Sequence, residues 1–122
     1  MRDLAVLIPA RNEVFLARTV ADVVRQARGD TEVIAVLDGA WVDPPVADHP
    51  CVRVIHHATP IGQRAATNLA ARLAAARYVM KLDAHCTVAE GFDVELVRAG
   101  DEMGRDVTQI PRMYNLHAFD WV

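Results

Sequence analysis

An aspartate and a histidine, Asp83 and His85, stand two residues apart directly after an apolar run. If that run is a strand, both side chains lie on the same side of it and can reach one ion. A carboxylate with an imidazole suits manganese better than calcium, and magnesium is also compatible. The triplet Asp83-Ala84-His85 is a weak signal by itself, because most such triplets are polar loop residues. The alternative is a strand that simply ends in a polar loop.

Two further polar clusters follow apolar runs. Pro9 to Glu13 comes directly after Leu4 to Ile8, and Asp38-Gly39 comes directly after Val33 to Leu37. Ligands of parallel α/β sheets bind at the carboxyl ends of the strands, so we expect the three clusters to converge on one edge. The alternative is that these residues are ordinary loop polars.

The elements that must position these clusters alternate between strand and helix patterns. The predicted strands are Leu4–Ile8, Val33–Leu37, Val52–Ile55, Tyr78–Leu82 and Val107–Ile110. The predicted helices run from an Asn12 cap to Gly29, over Ile61–Ala76 with Ile61, Ala65, Leu69 and Leu73 on one face, and over Phe92–Met103. Repeated strand–helix–strand units predict an α/β fold, with a Rossmann-like, mostly parallel sheet flanked by helices.

Composition excludes several classes of protein. The chain has 122 residues, enough for one domain, and a net charge of −3 that shows no bias toward nucleic acid. The basic residues are twelve arginines and one lysine, and arginine is the better fork for phosphate oxygens.

The cysteines and the first apolar run bear on location. Cys51 and Cys86 are too few for a disulfide framework or a zinc cage, and free thiols are typical of a reducing compartment. The run from Leu4 to Ile8 ends at Pro9 and is too short for a signal segment or a membrane span. We therefore expect a cytoplasmic protein without a membrane span.

In this order and spacing, the motifs resemble family 2 of the nucleotide-sugar-dependent glycosyltransferases, which have the GT-A fold. IPARNE at 8–13 resembles the opening strand-to-helix motif of the family, and EVIAVLDG at 32–39 resembles its second strand. IGQRAATNLAARLAAARYVMKLDAH at 61–85 is similar to its helix, strand and metal motif. The histidine in that motif, followed by EGFDVEL at 90–96, looks most like the polypeptide N-acetylgalactosaminyltransferases. The resemblance covers residues 4 to 112.

The resemblance implies a set of site residues. Pro9, Ala10, Arg11 and Asp38 would cradle the nucleoside, and Asp83 and His85 would hold Mn²⁺ or Mg²⁺ between the two phosphates. Arg64, in the first turn of a helix where anions are favoured, would contact the diphosphate. The residues assigned to nucleotide-sugar binding are Pro9, Ala10, Arg11, Glu13, Asp38, Arg64, Asp83 and Ala84. The alternatives are that Arg64 lies on a solvated face, that Arg11 only covers a helix start, and that Glu13 is a first-turn carboxylate.

The chain also departs from the family pattern. Leu37 stands where many members carry a second acid, which leaves the base contact open. The acceptor-binding half of the family has no counterpart, and His117 comes too early to match its further metal ligand. We therefore expect residues 1–122 to be a donor-binding part that binds donor but transfers sugar poorly alone. In the aromatic tail, Phe119 and Trp121 would be partly exposed in a monomer or buried against a second copy, so we expect either a truncated chain or a homo-oligomer.

The predicted function is that of a metal-dependent glycosyltransferase, which binds a nucleoside diphosphate sugar, foremost a UDP-sugar, and transfers the sugar to an acceptor of unknown identity. The stereochemical outcome stays open, because family 2 members are generally inverting and the relatives with D-x-H are retaining. One alternative is a non-catalytic nucleotide-binding or assembly module. Another is a sugar-phosphate nucleotidyltransferase, although that class has a glycine-rich loop after the first strand and this chain has Pro9 to Glu13 there.

Overall fold

The described residues form a parallel four-stranded sheet with helices on both faces. The computed structural model describes residues 1–104 and 107–110. In chain order the elements are β1 (Arg2–Ala10), α1 (Leu16–Gln26), β2 (Thr31–Asp38), β3 (Val52–His57), α2 (Gln63–Leu73), β4 (Ala76–Lys81) and α3 (Phe92–Met103). The strand order is β3-β2-β1-β4, and every neighbouring pair is parallel. The predicted α/β class with a Rossmann-like sheet is confirmed.

The two central strands are buried on both faces, which explains their continuous apolar sequence. Alternate residues of β1 and β2 point to opposite layers. One layer packs β1 and β2 against α1 and Phe92 of α3. The other layer packs Ala5, Leu7, Ile34 and Val36 against α2. The sheet is therefore the wall between two separate apolar clusters.

The α2 helix contacts the sheet through small residues. Ala66 and Ala70 are fully buried, whereas Ala65 is exposed and Leu73 is 39% exposed. The predicted face containing Ala65 and Leu73 is therefore wrong by about one residue. Alanine at the contact allows the helix backbone to lie close to the sheet, and a leucine there would hold it farther away.

The start of α1 differs from the prediction. Asn12 does not cap the helix, because α1 begins at Leu16 and its N-cap is Phe15, without a side-chain cap. Asn12 instead has a positive φ of 53°, a conformation that asparagine tolerates better than most residues. Glu13 accordingly precedes the helix, and the interpretation of Glu13 as a first-turn carboxylate is wrong. β1 also continues past Pro9. Proline has no N–H to donate, but the pairing between β1 and β4 ends at Leu7 and Lys81, before Pro9 is reached.

A buried carboxylate attaches α3 to the rest of the fold. Asp93 is 1% exposed and accepts hydrogen bonds from the Arg28 and Gly29 amides and from the Thr31 hydroxyl, at 2.6 to 3.2 Å. Burial works against its charged form, but hydrogen bonds from Thr31 and from these amides outweigh burial and lower the pKa of Asp93. The first turn of α3 is thereby fixed to the turn between α1 and β2.

The end of the chain corrects one prediction and leaves others open. Residues 107–110 form no strand, so the described part of the sheet has four strands and not five. His117, Phe119 and Trp121, and with them the predicted association through the tail, lie outside the described residues. Within 1–104 and 107–110, no helix is both long enough and apolar enough to cross a membrane.

Candidate functional site

The carboxylate at the end of β2 holds the amino end of α2. Asp38 is 4% exposed, and its two oxygens accept hydrogen bonds from the amides of Ile61 at 2.7 Å and Gly62 at 2.9 Å. These are charge-assisted bonds, which are stronger than neutral ones. The contact fixes where α2 begins, and with it the position of Arg64 one residue inside the helix.

The next residue, Gly39, is required by close packing against the same loop. Its φ is 82°, and a Cβ atom at this position would lie 2.5 Å from Cγ of Pro60. The Gly39 amide also donates to the carbonyl of His57 at 2.8 Å. The loop before α2 is therefore positioned by the side chain of Asp38 and by the close approach of the Gly39 backbone.

Asp83, just after β4, forms polar contacts on one of its two oxygens. Oδ1 accepts hydrogen bonds from Lys81 Nζ at 2.7 Å and from Gln63 Nε2 at 3.2 Å. The hydrogen bond from the Lys81 ammonium lowers the pKa of the Asp83 carboxyl group, so this group is ionised at neutral pH. No donor from the described residues contacts Oδ2, which leaves this oxygen available to a cation.

His85 pairs with a residue from the loop after β1. Its Nδ1 lies 3.2 Å from Oε2 of Glu13, and Oε1 of Glu13 accepts a hydrogen bond from the Phe15 amide at 3.2 Å. The site prediction placed Glu13 and His85 at one edge without a contact between them. Because a carboxylate only accepts, Nδ1 must be the donor, and Nε2 is the ring nitrogen left for another partner.

The loop that carries His85 is fastened to α1 by two buried polar side chains. The Thr19 hydroxyl donates to the Ala84 carbonyl at 2.8 Å and accepts from the Cys86 amide at 3.2 Å. Asp22 accepts from the Val88 amide at 2.9 Å and also from the Thr87 hydroxyl. The backbone on either side of His85 is thus held by one helix, and Ala84 between the two candidate ligands is buried.

The remaining predicted residues fall into two groups. Arg11 and Arg64 are exposed, and neither guanidinium group forms a hydrogen bond or an ion pair with any described residue. Their guanidinium groups are therefore accessible to an anion. Pro9 and Ala10 are buried at the end of β1, so both residues present little surface to a ligand at this edge.

The donor set fits a divalent ion, though incompletely. Asp83 provides an ionised carboxylate and His85 an imidazole whose other nitrogen is bound to a carboxylate, the usual arrangement for a metal-binding histidine. In the described part of the chain, no group of three or more His, Cys, Asp or Glu residues is arranged to hold a metal. Burial raises the pKa of the Cys86 thiol, which disfavours the thiolate that zinc requires. Metal binding by Asp83 and His85 therefore stays a prediction.

Sequence reasoning missed Gln63, Lys81, Thr19 and Asp22. Thr19 and Asp22 could have been found, because both border the apolar face of α1 that contains Leu16, and a buried polar group must have a partner. Gln63 and Lys81 gave no such signal, because exposed polar residues are ordinary next to a helix start or at a strand end.

Two surface cavities, of about 480 and 410 Å³, lie at the opposite edge of the sheet. In the first, Glu32 is paired with Arg2 and Arg53 at 3.6 and 3.4 Å. Neither cavity is lined by a residue of the candidate site. The polar chemistry of the carboxyl edge is therefore separate from both.

The fold and the position of the polar loops define a parallel α/β domain of the GT-A type, with its candidate site at the carboxyl edge of the sheet. The family model for glycosyl transferase family 2 matches residues 5–120. The chain belongs to this family. A comparison with curated proteins gives no match.

Crystal structures of TarS from S. aureus have a similar fold. TarS 1–349 superposes with a TM-score of 0.66 and 16% sequence identity, over 90% of this chain and 38% of that chain. A second TarS structure gives a TM-score of 0.65 and 16% identity, over 90% of this chain and 23% of that chain. The chain therefore spans less than half the length of either TarS chain.

Proposed function

We propose that this chain is the donor-binding part of a metal-dependent glycosyltransferase that uses a nucleoside diphosphate sugar, with UDP-sugar as the first candidate. The observation that carries the proposal is a connected set of contacts at the carboxyl edge. Asp38 holds the start of α2, Gln63 of α2 contacts Asp83, and Glu13 contacts His85. Loops from three strands thus meet where parallel α/β domains bind ligands.

The positive end of α2 supports diphosphate binding. Arg64 in the first turn has an accessible guanidinium group, whereas the Ile61 and Gly62 amides before the helix are already bound by Asp38. A helix N-terminus favours anions, and arginine can bind phosphate oxygens in a bidentate manner. Arg11, on the loop after β1, is the second accessible guanidinium at this edge. We assign Arg64 to the diphosphate and Arg11 to a phosphate or the ribose.

Asp83 and His85 are the residues that would hold Mn²⁺ or Mg²⁺ on this proposal. When bound, such an ion neutralises negative charge on the diphosphate leaving group as the bond to the sugar breaks. Arg64 would stabilise the same charge, and it contributes to rate because that charge is larger in the transition state than in the ground state. Lys81 and Gln63 hold Asp83 in place through Oδ1, which keeps Oδ2 free.

Transfer of the sugar belongs to the whole protein in this proposal. The chain spans 38% and 23% of the two TarS chains, and acceptor recognition is not assigned to any described residue. A nucleoside diphosphate sugar and an acceptor are the proposed partners. Cytoplasmic location stays a prediction.

Titration calorimetry with UDP tests the proposal. We expect UDP to bind several-fold more tightly with Mn²⁺ than with a chelator, and we expect Asp83→Asn to abolish that difference because it removes the anionic ligand without changing its shape. Asp48→Asn, at an exposed aspartate in the loop before β3, is the matched control and should behave as the parent protein. Equal affinity with and without metal in the parent protein would contradict metal dependence, and no UDP binding at all would contradict the donor role.

A further inference from the structure

The contact between Glu13 and His85 carries an inference about the candidate metal site. Oε2 of Glu13 lies 3.2 Å from Nδ1 of His85, across 72 positions of sequence. The Glu13 side chain is 24% exposed and the His85 side chain 54% exposed. A partly buried carboxylate that faces a more exposed imidazole is positioned to orient it.

We propose that Glu13 is a positioning residue, which holds His85 in the tautomer with the proton on Nδ1 and leaves the Nε2 lone pair for a divalent ion. The tautomer of a neutral histidine is set by the hydrogen bond that the other ring nitrogen makes. The metal part of this inference rests on the proposed function, but the tautomer part does not.

Both ends of the contact are fixed to the same helix. Oε1 of Glu13 accepts from the Phe15 amide, at the residue that caps α1. The backbone on either side of His85 is bound to the hydroxyl of Thr19, also on α1. The carboxylate and the ring therefore keep their relative position without a large entropic cost when they meet.

The same contacts separate Glu13 from the donor. Its carboxylate is already bound by the Phe15 amide and the His85 ring, one on each oxygen. A diphosphate is anionic, so a direct approach to this carboxylate would be repulsive. Glu13 therefore acts on the site through His85 and not by contact with the nucleotide.

Nitrogen NMR of the metal-free protein tests the tautomer. At about pH 8.5, where histidines are ordinarily neutral, a long-range ¹H–¹⁵N correlation spectrum of the parent protein should show His85 with a protonated Nδ1 and an unprotonated Nε2. Glu13→Ala should shift His85 toward the other tautomer. Glu13→Gln keeps one acceptor oxygen for two donors, the Phe15 amide and Nδ1–H, so it should shift His85 less than Glu13→Ala does. An unchanged His85 spectrum in Glu13→Ala would overturn the inference.

Direct Mn²⁺ titration tests the consequence for the metal. Loss of a carboxylate that orients a histidine ligand typically lowers metal affinity about 10- to 100-fold, so Glu13→Ala should lose affinity in that range. Glu13→Gln, which retains one acceptor oxygen, should lose less affinity than Glu13→Ala, and Asp48→Ala should have no effect. A changed tautomer with unchanged Mn²⁺ affinity would overturn the positioning role. No Mn²⁺ binding by the parent protein would overturn the metal part of both proposals, while the NMR result would still decide the tautomer.

Discussion

Replacement of Asp38 tests whether its carboxylate holds the start of α2. The two hydrogen bonds that it accepts are at 2.7 and 2.9 Å, and the group is 4% exposed, so solvent cannot replace them easily. Hydrogen bonds to charged groups contribute about 1.5–3 kcal/mol each. Asp38→Asn retains one acceptor and should lower the free energy of unfolding by about that amount, since one amide loses its partner. Asp38→Ala loses both acceptors and should cost about twice as much.

Urea unfolding followed by circular dichroism measures this cost, with Asp48→Asn as the control at an exposed aspartate. The slope of the unfolding free energy against urea should not change, because the native surface stays the same. Both Asp38 variants should also bind UDP more weakly than the parent protein if Arg64 contacts the diphosphate. An Asp38→Asn protein as stable as Asp48→Asn would refute the argument that these two bonds hold the loop before α2.

Three further predictions use matched or pH-resolved measurements. Gly39→Ala should lower the melting temperature more than Gly62→Ala, because both glycines have positive φ but only Gly39 has a proline against the new Cβ; equal losses would contradict the packing argument. Asp93→Asn should be less stable than the parent protein at pH 7. Because the pKa of Asp93 is lowered in the folded protein, its ionised carboxylate stabilises the fold above about pH 4, and this stabilisation is lost as the pH falls below that value. The difference in unfolding free energy between the two proteins, measured in urea, should therefore shrink below about pH 4, and a constant difference would contradict this argument. Arg64→Ala should weaken UDP by about 1–3 kcal/mol and uridine hardly at all, whereas Arg72→Ala in the last turn of the same helix should affect neither; an equal loss for uridine would place Arg64 elsewhere.

The order of elements was predictable because it depends on local patterns. Continuous apolar runs identified β1 and β2, which are buried on both faces, and the helices followed from the spacing of apolar residues. The polar loops were predicted to converge on one edge because the carboxyl ends of parallel strands lie at the same edge of a sheet. The class of fold could therefore be derived from the sequence alone.

Details that depend on competing local preferences could not be predicted. Asparagine favours both helix caps and positive φ, and at Asn12 the second preference decides the backbone. The buried face of α2 depends on how closely the helix approaches the sheet, and there Ala66 and Ala70 are favoured over larger residues. Residues 107–110 have a strand-like composition, but composition alone cannot supply a pairing partner.

The contacts within the candidate site join residues that are distant in sequence. Glu13 and His85 are 72 positions apart, and Thr19 bonds to residues 65 and 67 positions away. The spacing of residues in the sequence does not predict such a contact, because the contact depends on how α1 packs against the sheet. The residue types at this edge were predictable, and the network that orients them was not.

The two candidate ligands take their orientation from opposite sides of the sheet. His85 is oriented by Glu13 and by α1, on one face, whereas the Asp83 carboxylate is contacted by Gln63 of α2, on the other. The position of the Asp83 carboxylate relative to His85 therefore depends on the distance between α2 and the sheet, which is short because Ala66 and Ala70 lie at the contact. A bulkier side chain at either alanine would displace α2 and, in the proposed metal site, alter the angle at which the Asp83 carboxylate meets an ion, without touching either proposed ligand. In the proposed metal site, the coordination geometry would thus depend on how the core is packed.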